Sequence, residues 1–283
     1  ISLLLDSLNL IINKETVNME KIKDTKLFIF DMDGTIYLGE NLIPGVLDFI
    51  EKLKKQGKQY IFLTNNSSKN SKDYKEKLNK LGIQASIEEI VNAGEVTADY
   101  LKSIKGEDEN NVYVVGTPSL EKVFKDYGFN LIKDRNKNVD FLVIGFDTTL
   151  TYKKLWDAHY LINQGVKYYA TNPDKVCPLE GGRSMPDCGS IINLLKTSTG
   201  QEPVVVGKPS KLMVNYISNK YNIDKDKISM VGDRLYTDIK MANQSGINSI
   251  LVLSGETKQK DLKGAQVQPD LVLDSVVEIG NMF

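Results

Sequence analysis

The 283-residue sequence is poor in the residue types that build soft-metal and thiol-based sites. It has one histidine, His159, and two cysteines, Cys177 and Cys188. Two thiols do not make a disulfide framework, and they favour a reducing, cytoplasmic location. With so few cysteines and histidines, a zinc site and a histidine-based catalytic triad are both disfavoured. A bound metal would therefore need oxygen ligands, which suit Mg²⁺.

Long apolar runs and a strong net charge are also missing. No run reaches the ~20 apolar residues that a membrane-spanning helix needs. The net charge of -1 gives no global field that would attract nucleic acid or a membrane surface. The apolar segment Ile1–Leu10 lacks a basic start and a cleavage site, so we expect no secretory signal. Residues 1–18 are predicted to be an N-terminal extension, native or not, without a catalytic role.

What the sequence does contain is a regular alternation of short apolar runs and amphipathic segments. It predicts strands at Leu27–Phe30, Tyr60–Leu63, Val112–Val115, Phe141–Ile144, Lys167–Ala170, Val204–Val206, Ile228–Val231 and Ser249–Leu253. It predicts helices at 45–56, 70–81, 92–104, 118–126, 152–164, 210–220 and 236–245. This alternation is typical of right-handed βαβ units with parallel sheets. The strands are too many for one small sheet, so we expect two α/β layers, the middle segment being inserted into the first.

The strongest candidate for chemistry is the segment 31–35, DMDGT, directly after a buried strand. Open parallel sheets bind ligands outside the carboxyl ends of their strands. Of two carboxylates there, Asp31 and Asp33, one can bind a cation and act as a nucleophile while the other transfers a proton. The alternative is an acidic turn without function.

Two further candidates follow other predicted strands. The Thr64 hydroxyl and the N–H groups of Asn65 and Asn66 could hold a phosphoryl oxygen, although a helix N-cap would use the same residue types. Lys208 offers a point charge suited to a phosphate, although a surface lysine is the simpler interpretation.

The last candidate is the segment 232–238, GDRLYTD, after the predicted strand Ile228–Val231. Asp233 can reach a metal at the strand end, and Asp238 can orient it or a water ligand. Capping of the following helix is the alternative. Because all four candidates follow predicted parallel strands, we expect one crevice to collect them.

In this order, DMDGT, the Thr64 loop, Lys208 and GDRLYTD resemble the four motifs of the haloacid dehalogenase superfamily. The second acid, Asp33, is typical of its phosphatase branch, because dehalogenases lack it. The segments 64–67, TNNS, 172–174, NPD, and 206–210, VGKPS, are similar to subfamily IIA, the NagD/4-nitrophenylphosphatase-like proteins. The resemblance covers the chain from about Asp24 onward. It implies an α/β fold, with a Rossmann-like three-layer core at 19–82 and 188–283 and an inserted type-2 (C2) cap at 83–187.

The resemblance also implies a function, which is Mg²⁺-dependent hydrolysis of small phosphorylated metabolites such as sugar phosphates or nucleoside monophosphates. Asp31 would form an aspartyl-phosphate, and Asp33 would protonate the leaving alcohol and then deprotonate the attacking water. One Asp31 oxygen, the Asp33 backbone carbonyl and Asp233 would hold Mg²⁺. Thr64 and Lys208 would stabilise charge on the transferring oxygens.

The cap is expected to select the substrate. Cys177 stands where related pyridoxal phosphatases have a histidine that contacts substrate, so specificity for pyridoxal phosphate is not expected. A small buried apolar role for Cys177 is the alternative. His159 falls within a helical pattern and is predicted to be structural.

Two other functions stay open at this point. One is phosphotransfer to an acceptor other than water, as in related mutases, whose caps usually follow the first motif. The segment between Asp33 and Thr64 is too short for such a cap. The other is a non-catalytic protein that binds a phosphorylated ligand, which the full set of catalytic side chains disfavours. A homodimer is also left open.

Overall fold

The computed structural model describes residues 19–179 and 182–283, so the predicted extension at 1–18 lies outside the described residues. The chain divides into two compact units. Among the described residues, the first unit consists of residues 19–63, 81–83 and 217–283, and the second of residues 64–80 and 84–216. The domain boundaries at 82/83 and 187/188 stay predictions.

The sheet of the first unit is parallel. Across the sheet, its strands are Leu271–Leu273, Asn248–Val252, Ile228–Gly232, Leu27–Asp31 and Gln59–Thr64. All residues of the central strand Leu27–Asp31 are buried, because it has a neighbour on each side and both of its faces are covered. The register pairs Asp31 with Leu63 and Phe30 with Val231, so three strands end at the same edge.

Helices and short turns complete the first unit. The helix Val46–Lys55 buries Val46, Phe49, Ile50 and Leu53, the face that the sequence predicts. Residues 19–23 are helical, and an antiparallel pair, Tyr37–Leu38 and Asn41–Leu42, follows the first motif. Further elements are the 3₁₀ segments Lys225–Lys227, Gln259–Leu262 and Val276–Asn281 and the helix Lys240–Ser245.

The helix predicted at 236–245 is not α-helical from its start. Leu235–Ile239 is a π-helical turn, in which the N–H of Ile239 donates to the carbonyl of Arg234 at 3.2 Å, five residues back. Regular α-helix begins at Lys240. The N–H of Arg234 donates to Asp238 Oδ2 at 3.1 Å, a bond that holds this side chain at the start of the turn. Single π-helical turns are frequent at functional sites.

The second unit contains its own parallel sheet. Across it, the strands are Val204–Val205, Lys167–Ala170, Phe141–Ile144, Asn111–Val115 and Asn130–Leu131. Its helices are Ser71–Lys80, Ala93–Ile104, Pro118–Asp126, Tyr152–Asn163 and Cys188–Thr199. Lys211–Tyr221 carries the chain back to the first unit. The strand Ile90–Asn92 and the antiparallel pair Val176–Pro178 and Ser184–Pro186 also lie in this unit.

The helix Cys188–Thr199 is absent from the sequence-based prediction. Asp187 caps its first turn, and Gly200, with φ 73°, ends it. Its apolar face, with Ile191 and Leu195, packs into the core of the second unit. The strand after it belongs to the same unit. Val204 and Val205 pair with Tyr169 and Ala170, so this strand extends the second sheet and not the sheet of Leu27–Asp31.

The α/β fold with parallel sheets is confirmed. Cys177 and Cys188 are both free thiols. In the described part of the chain, no helix combines the length and the apolarity that crossing a membrane requires. His159 lies in the helix Tyr152–Asn163, and its Nδ1 hydrogen-bonds the Ser198 hydroxyl of the neighbouring helix at 3.0 Å.

Candidate active site

Three aspartates meet at one edge of the first unit's sheet. Asp31 is the last residue of the strand Leu27–Asp31, and Asp233 follows the adjacent strand Ile228–Gly232. The π-helical turn places Asp238 beside them. One carboxylate oxygen from each aspartate lies within 4.8 Å of the other two, and all three residues are buried. We call Asp31, Asp233 and Asp238 the acidic cluster.

The electrostatics of the acidic cluster are unfavourable without a cation. The pKa of Asp233 is raised to about 8, first by burial and then by the negative charges of Asp31 and Asp238. Asp233 Oδ1 is buried and has no hydrogen-bond partner. An all-oxygen, buried and strongly acidic donor set with an orphaned oxygen fits a hard cation such as Mg²⁺.

The positive side chain of Arg234 lies close to this charge. The guanidinium of Arg234 is mostly buried, and its Nε lies 3.0 Å from Glu256 Oε2, without the alignment of a hydrogen bond. Burial alone would lower the pKa of Arg234, but the charges of Asp31 and Asp233 raise it overall. Arg234 therefore stays protonated and offsets part of the negative charge.

The position of Asp238 depends on the absence of a side chain at Gly232. A Cβ atom there would lie 2.4 Å from Asp238 Cγ. The sequence predicts that Asp238 orients the metal or a water ligand. In the structure, one Asp238 carboxylate oxygen lies within 4.8 Å of carboxylate oxygens of both Asp31 and Asp233.

Asp33 differs from these three residues because its side chain is exposed. It lies in a tight turn, where the N–H of Gly34 donates to the carbonyl of Tyr37 at 2.8 Å. Gly34 has φ 93°, a conformation that favours glycine. Asp33 is therefore accessible to solvent.

The Thr64 loop begins at the last residue of the strand Gln59–Thr64 and lies in the second unit. The Thr64 hydroxyl accepts the N–H of Asn66 at 3.1 Å, so this N–H is engaged within the loop. Asn66 Oδ1 in turn accepts the N–H and the hydroxyl of Ser68. Thr64 does not cap a helix, because the next helix begins at Ser71.

Lys208 is also in the second unit and is 2% exposed, so it is not a surface lysine. Asn65 Oδ1 accepts its N–H at 2.8 Å, and Asn65 Nδ2 donates to its carbonyl at 3.0 Å. The preceding Gly207 admits no side chain, since a Cβ would lie 2.1 Å from the carbonyl oxygen of Thr171. The structure thus brings together Asn65 and Lys208, which are far apart in the sequence.

A buried polar network surrounds Asn65. Asp174 Oδ2 accepts Asn65 Nδ2 at 2.9 Å and Asn172 Nδ2 at 3.2 Å. Asn172 Nδ2 also lies 3.2 Å from Asp187 Oδ1. Asn172 and Asp174 belong to the NPD segment that resembles subfamily IIA, whereas no sequence motif indicates Asp187.

Cys177 lies in the antiparallel pair of the second unit, opposite Met185. It is half-buried and packs against the core of this unit. Its Sγ lies 3.7 Å from the carbonyl oxygen of Pro178. Neither the contact with substrate nor the purely structural role is tested by this position, so the role of Cys177 stays a prediction.

Comparisons with known proteins identify the family. A family model described as haloacid dehalogenase-like hydrolase matches residues 28–130, and a related HAD-hydrolase-like model matches residues 205–279. The chain is 35% identical over 276 residues to phosphoglycolate phosphatase 1A, chloroplastic, of Arabidopsis thaliana, covering 90% of this chain and 76% of the relative. It is 34% identical to an acid sugar phosphatase of Staphylococcus haemolyticus, covering 88% and 92% respectively.

A solved structure extends this similarity to the fold. The 4-nitrophenylphosphatase of Thermotoga maritima superposes with a TM-score of 0.87 at 43% identity, covering 92% of this chain and 98% of that one. The chain belongs to the haloacid dehalogenase-like hydrolases, within their NagD/4-nitrophenylphosphatase-like subfamily IIA. It is a phosphoric monoester hydrolase.

Proposed function

We propose that this phosphatase depends on Mg²⁺ and hydrolyses small phosphorylated metabolites, such as sugar phosphates or nucleoside monophosphates, through an aspartyl-phosphate on Asp31. The observation that carries the proposal is the acidic cluster, in which a buried carboxylate at a strand end lies beside an orphaned oxygen of Asp233. The names of the relatives, which include phosphoglycolate and acid sugar phosphatases, support a small substrate.

The first half of the reaction uses Asp31 and Asp33. A carboxylate oxygen of Asp31 forms a bond to phosphorus while the bond from phosphorus to the alcohol oxygen breaks. Asp33 gives its proton to that oxygen, so a neutral alcohol leaves. The exposed position of Asp33 supports this role, because its carboxyl can take up and release protons.

The second half regenerates the carboxylate. Asp33, now ionised, takes a proton from a water molecule, whose oxygen bonds to phosphorus as the bond to Asp31 breaks. Inorganic phosphate leaves, and Asp31 and Asp33 return to their starting states. Phosphoryl transfer needs mainly positioning and neutralisation of charge, which fixed side chains can supply.

Three groups are proposed to bind the metal: one carboxylate oxygen of Asp31, the backbone carbonyl of Asp33 and the carboxylate of Asp233. Asp238 is proposed to orient the metal or a water ligand. When bound, Mg²⁺ would neutralise negative charge on the phosphoryl oxygens. Without it, three buried carboxylates would repel an anionic substrate.

Thr64 and Lys208 are proposed to stabilise charge on the transferring oxygens, with Asn65 and Asn66 forming the substrate-binding loop. The buried Lys208, with its backbone fixed by Asn65, supports this role, because a preorganised cation is more effective than a mobile one. Cys177 is proposed to contact the substrate from the cap. The cytoplasmic location stays a prediction, as do the absence of nucleic-acid and membrane partners and the oligomeric state.

The test is the Asp31→Asn variant assayed with 4-nitrophenyl phosphate and Mg²⁺. We expect loss of turnover by at least roughly 10³-fold, since an amide cannot form the covalent intermediate. Asp48→Asn, a change of the same kind at an exposed helix position, should retain wild-type activity. Unchanged turnover in Asp31→Asn would exclude the covalent mechanism. A panel of sugar phosphates and nucleoside monophosphates then decides the substrate class.

A further inference from the structure

Asp233 is enclosed by a loop that lies outside the four motifs. This loop, residues 254–257, follows the strand Asn248–Val252. The N–H of Glu256 donates to Asp233 Oδ2 at 2.6 Å, and the N–H of Thr257 donates to the Asp233 carbonyl at 3.2 Å. Loop 254–257 therefore binds both the side chain and the backbone of the same aspartate.

The loop also restricts rotation of the Asp233 carboxylate. A Cβ on Gly255 would lie 2.0 Å from Asp233 Oδ2, and one on Gly34 would lie 2.3 Å from the same atom. The two glycine backbones thus pack on the carboxylate. Ser254 links them, because its hydroxyl donates to the Gly34 carbonyl at 2.7 Å.

The side chain of Glu256 anchors the loop to the segment that follows Asp233. Its Oε2 lies 3.0 Å from Arg234 Nε and accepts the hydroxyl of Tyr236 at 3.1 Å. These contacts connect loop 254–257 to the residues that follow the strand Ile228–Gly232. They fix the position of the Glu256 N–H relative to Asp233.

The consequence concerns the two oxygens of Asp233. Oδ2 accepts a hydrogen bond and is packed by two glycines, whereas Oδ1 is buried without a hydrogen-bond partner. A carboxylate can bind a cation through one oxygen or through both. We propose that loop 254–257 is a positioning element that makes Asp233 a one-oxygen ligand, which offers Oδ1 to the metal. The inference rests on the proposed function, in which Asp233 binds that metal.

The test measures metal affinity without substrate. Binding of Mn²⁺, as a probe for Mg²⁺, is followed by the electron paramagnetic resonance signal of the free ion. Gly255→Ala should raise the Kd about tenfold or more, as expected when a partner that orients a ligand is disturbed. Gly106→Ala is the matched control, because a Cβ there would meet its nearest atom at an ordinary 3.6 Å. Its Kd should equal that of the wild type.

An unchanged Kd in folded Gly255→Ala would overturn the inference. If that variant does not fold, Ser254→Ala decides, because it removes only the hydroxyl that holds Gly34. It should raise the Kd roughly threefold and leave the circular dichroism spectrum unaltered, and an unchanged Kd would again overturn the inference. Failure of the proposed function looks different: wild-type protein that binds no Mn²⁺ refutes the metal site itself, and this inference with it. Wild-type binding with no change in the variant refutes only the positioning role.

Discussion

Asn65 holds Lys208 at both polar groups of its backbone. Asn65 Oδ1 accepts the Lys208 N–H at 2.8 Å, and Asn65 Nδ2 donates to the Lys208 carbonyl at 3.0 Å. Asp174 Oδ2 accepts the same Nδ2 at 2.9 Å and fixes the orientation of the amide. One side chain thereby determines where a buried lysine stands, although the two residues are 143 positions apart.

We predict that Asn65→Ala lowers kcat more than it raises KM. The Lys208 backbone would lose two hydrogen bonds, and a displacement of about 1 Å in a positioned charge can cost roughly 10²-fold in rate. The measurement is steady-state kinetics with 4-nitrophenyl phosphate. The exposed Asn138→Ala is the control for the loss of an asparagine side chain. A wild-type kcat in Asn65→Ala would show that Lys208 keeps its place without the amide.

Removal of divalent metal should abolish turnover. Protein treated with EDTA and then desalted is expected to be inactive and to recover on addition of Mg²⁺, because the acidic cluster holds three buried carboxylates. Mg²⁺ should also raise the unfolding temperature, since a ligand that binds only the folded state stabilises it. Full activity in metal-free protein would contradict the proposal.

Asp157 is predicted to be a carboxylate that stabilises the second unit. It is 1% exposed, accepts the Tyr113 hydroxyl at 2.7 Å and Arg135 Nη1 at 2.9 Å, and pairs with Lys153. Asp157→Ala leaves the buried Tyr113 hydroxyl without this acceptor and should lower the free energy of unfolding by about 2 kcal/mol. Urea denaturation measures the change. Asp126→Ala, which breaks an exposed pair with Lys122, should cost under about 0.5 kcal/mol.

The same carboxylate should make stability depend on pH. Burial alone would raise the pKa of Asp157, but its hydrogen bonds from Lys153 and Tyr113 lower it below the ordinary value. A lowered folded-state pKa gives stability that is present above the unfolded pKa of about 4 and is lost as the pH falls through the folded value. Asp157→Asn should therefore lose less unfolding free energy than wild type between about pH 6 and about pH 3. Equal losses in both proteins would contradict this assignment.

The two thiols should differ in reactivity. Burial raises the pKa of Cys188 to about 12, and its side chain is fully enclosed, whereas Cys177 is half-buried. Because the thiolate is the reactive form, Ellman's reagent at about pH 8 should modify one thiol in native protein and two after denaturation. In Cys177→Ser the native reaction should disappear. Rapid modification of Cys188 in that folded variant would contradict the burial argument.

Much of the first unit could be predicted because its signals are local. The apolar run at 27–30 and the amphipathic spacing of Val46, Phe49, Ile50 and Leu53 need no distant partner, and both predictions are confirmed. The helix Cys188–Thr199 was missed, although Asp187 and Gly200 carry ordinary capping signals. The π-helical turn could not be predicted, because its geometry involves the contact between Asp238 and the close backbone of Gly232.

By itself, the sequence determined the α/β class and the identity and order of the candidate catalytic residues, since strand periodicity and short motifs are encoded by neighbouring positions. Only the tertiary structure decided which sheet the strand Val204–Val205 joins and that Asp238 stands among Asp31 and Asp233. It also decided that the loop after Val252 encloses Asp233. These relationships depend on register, on the space beside a glycine and on hydrogen bonds between residues far apart in the chain, and no local pattern specifies them.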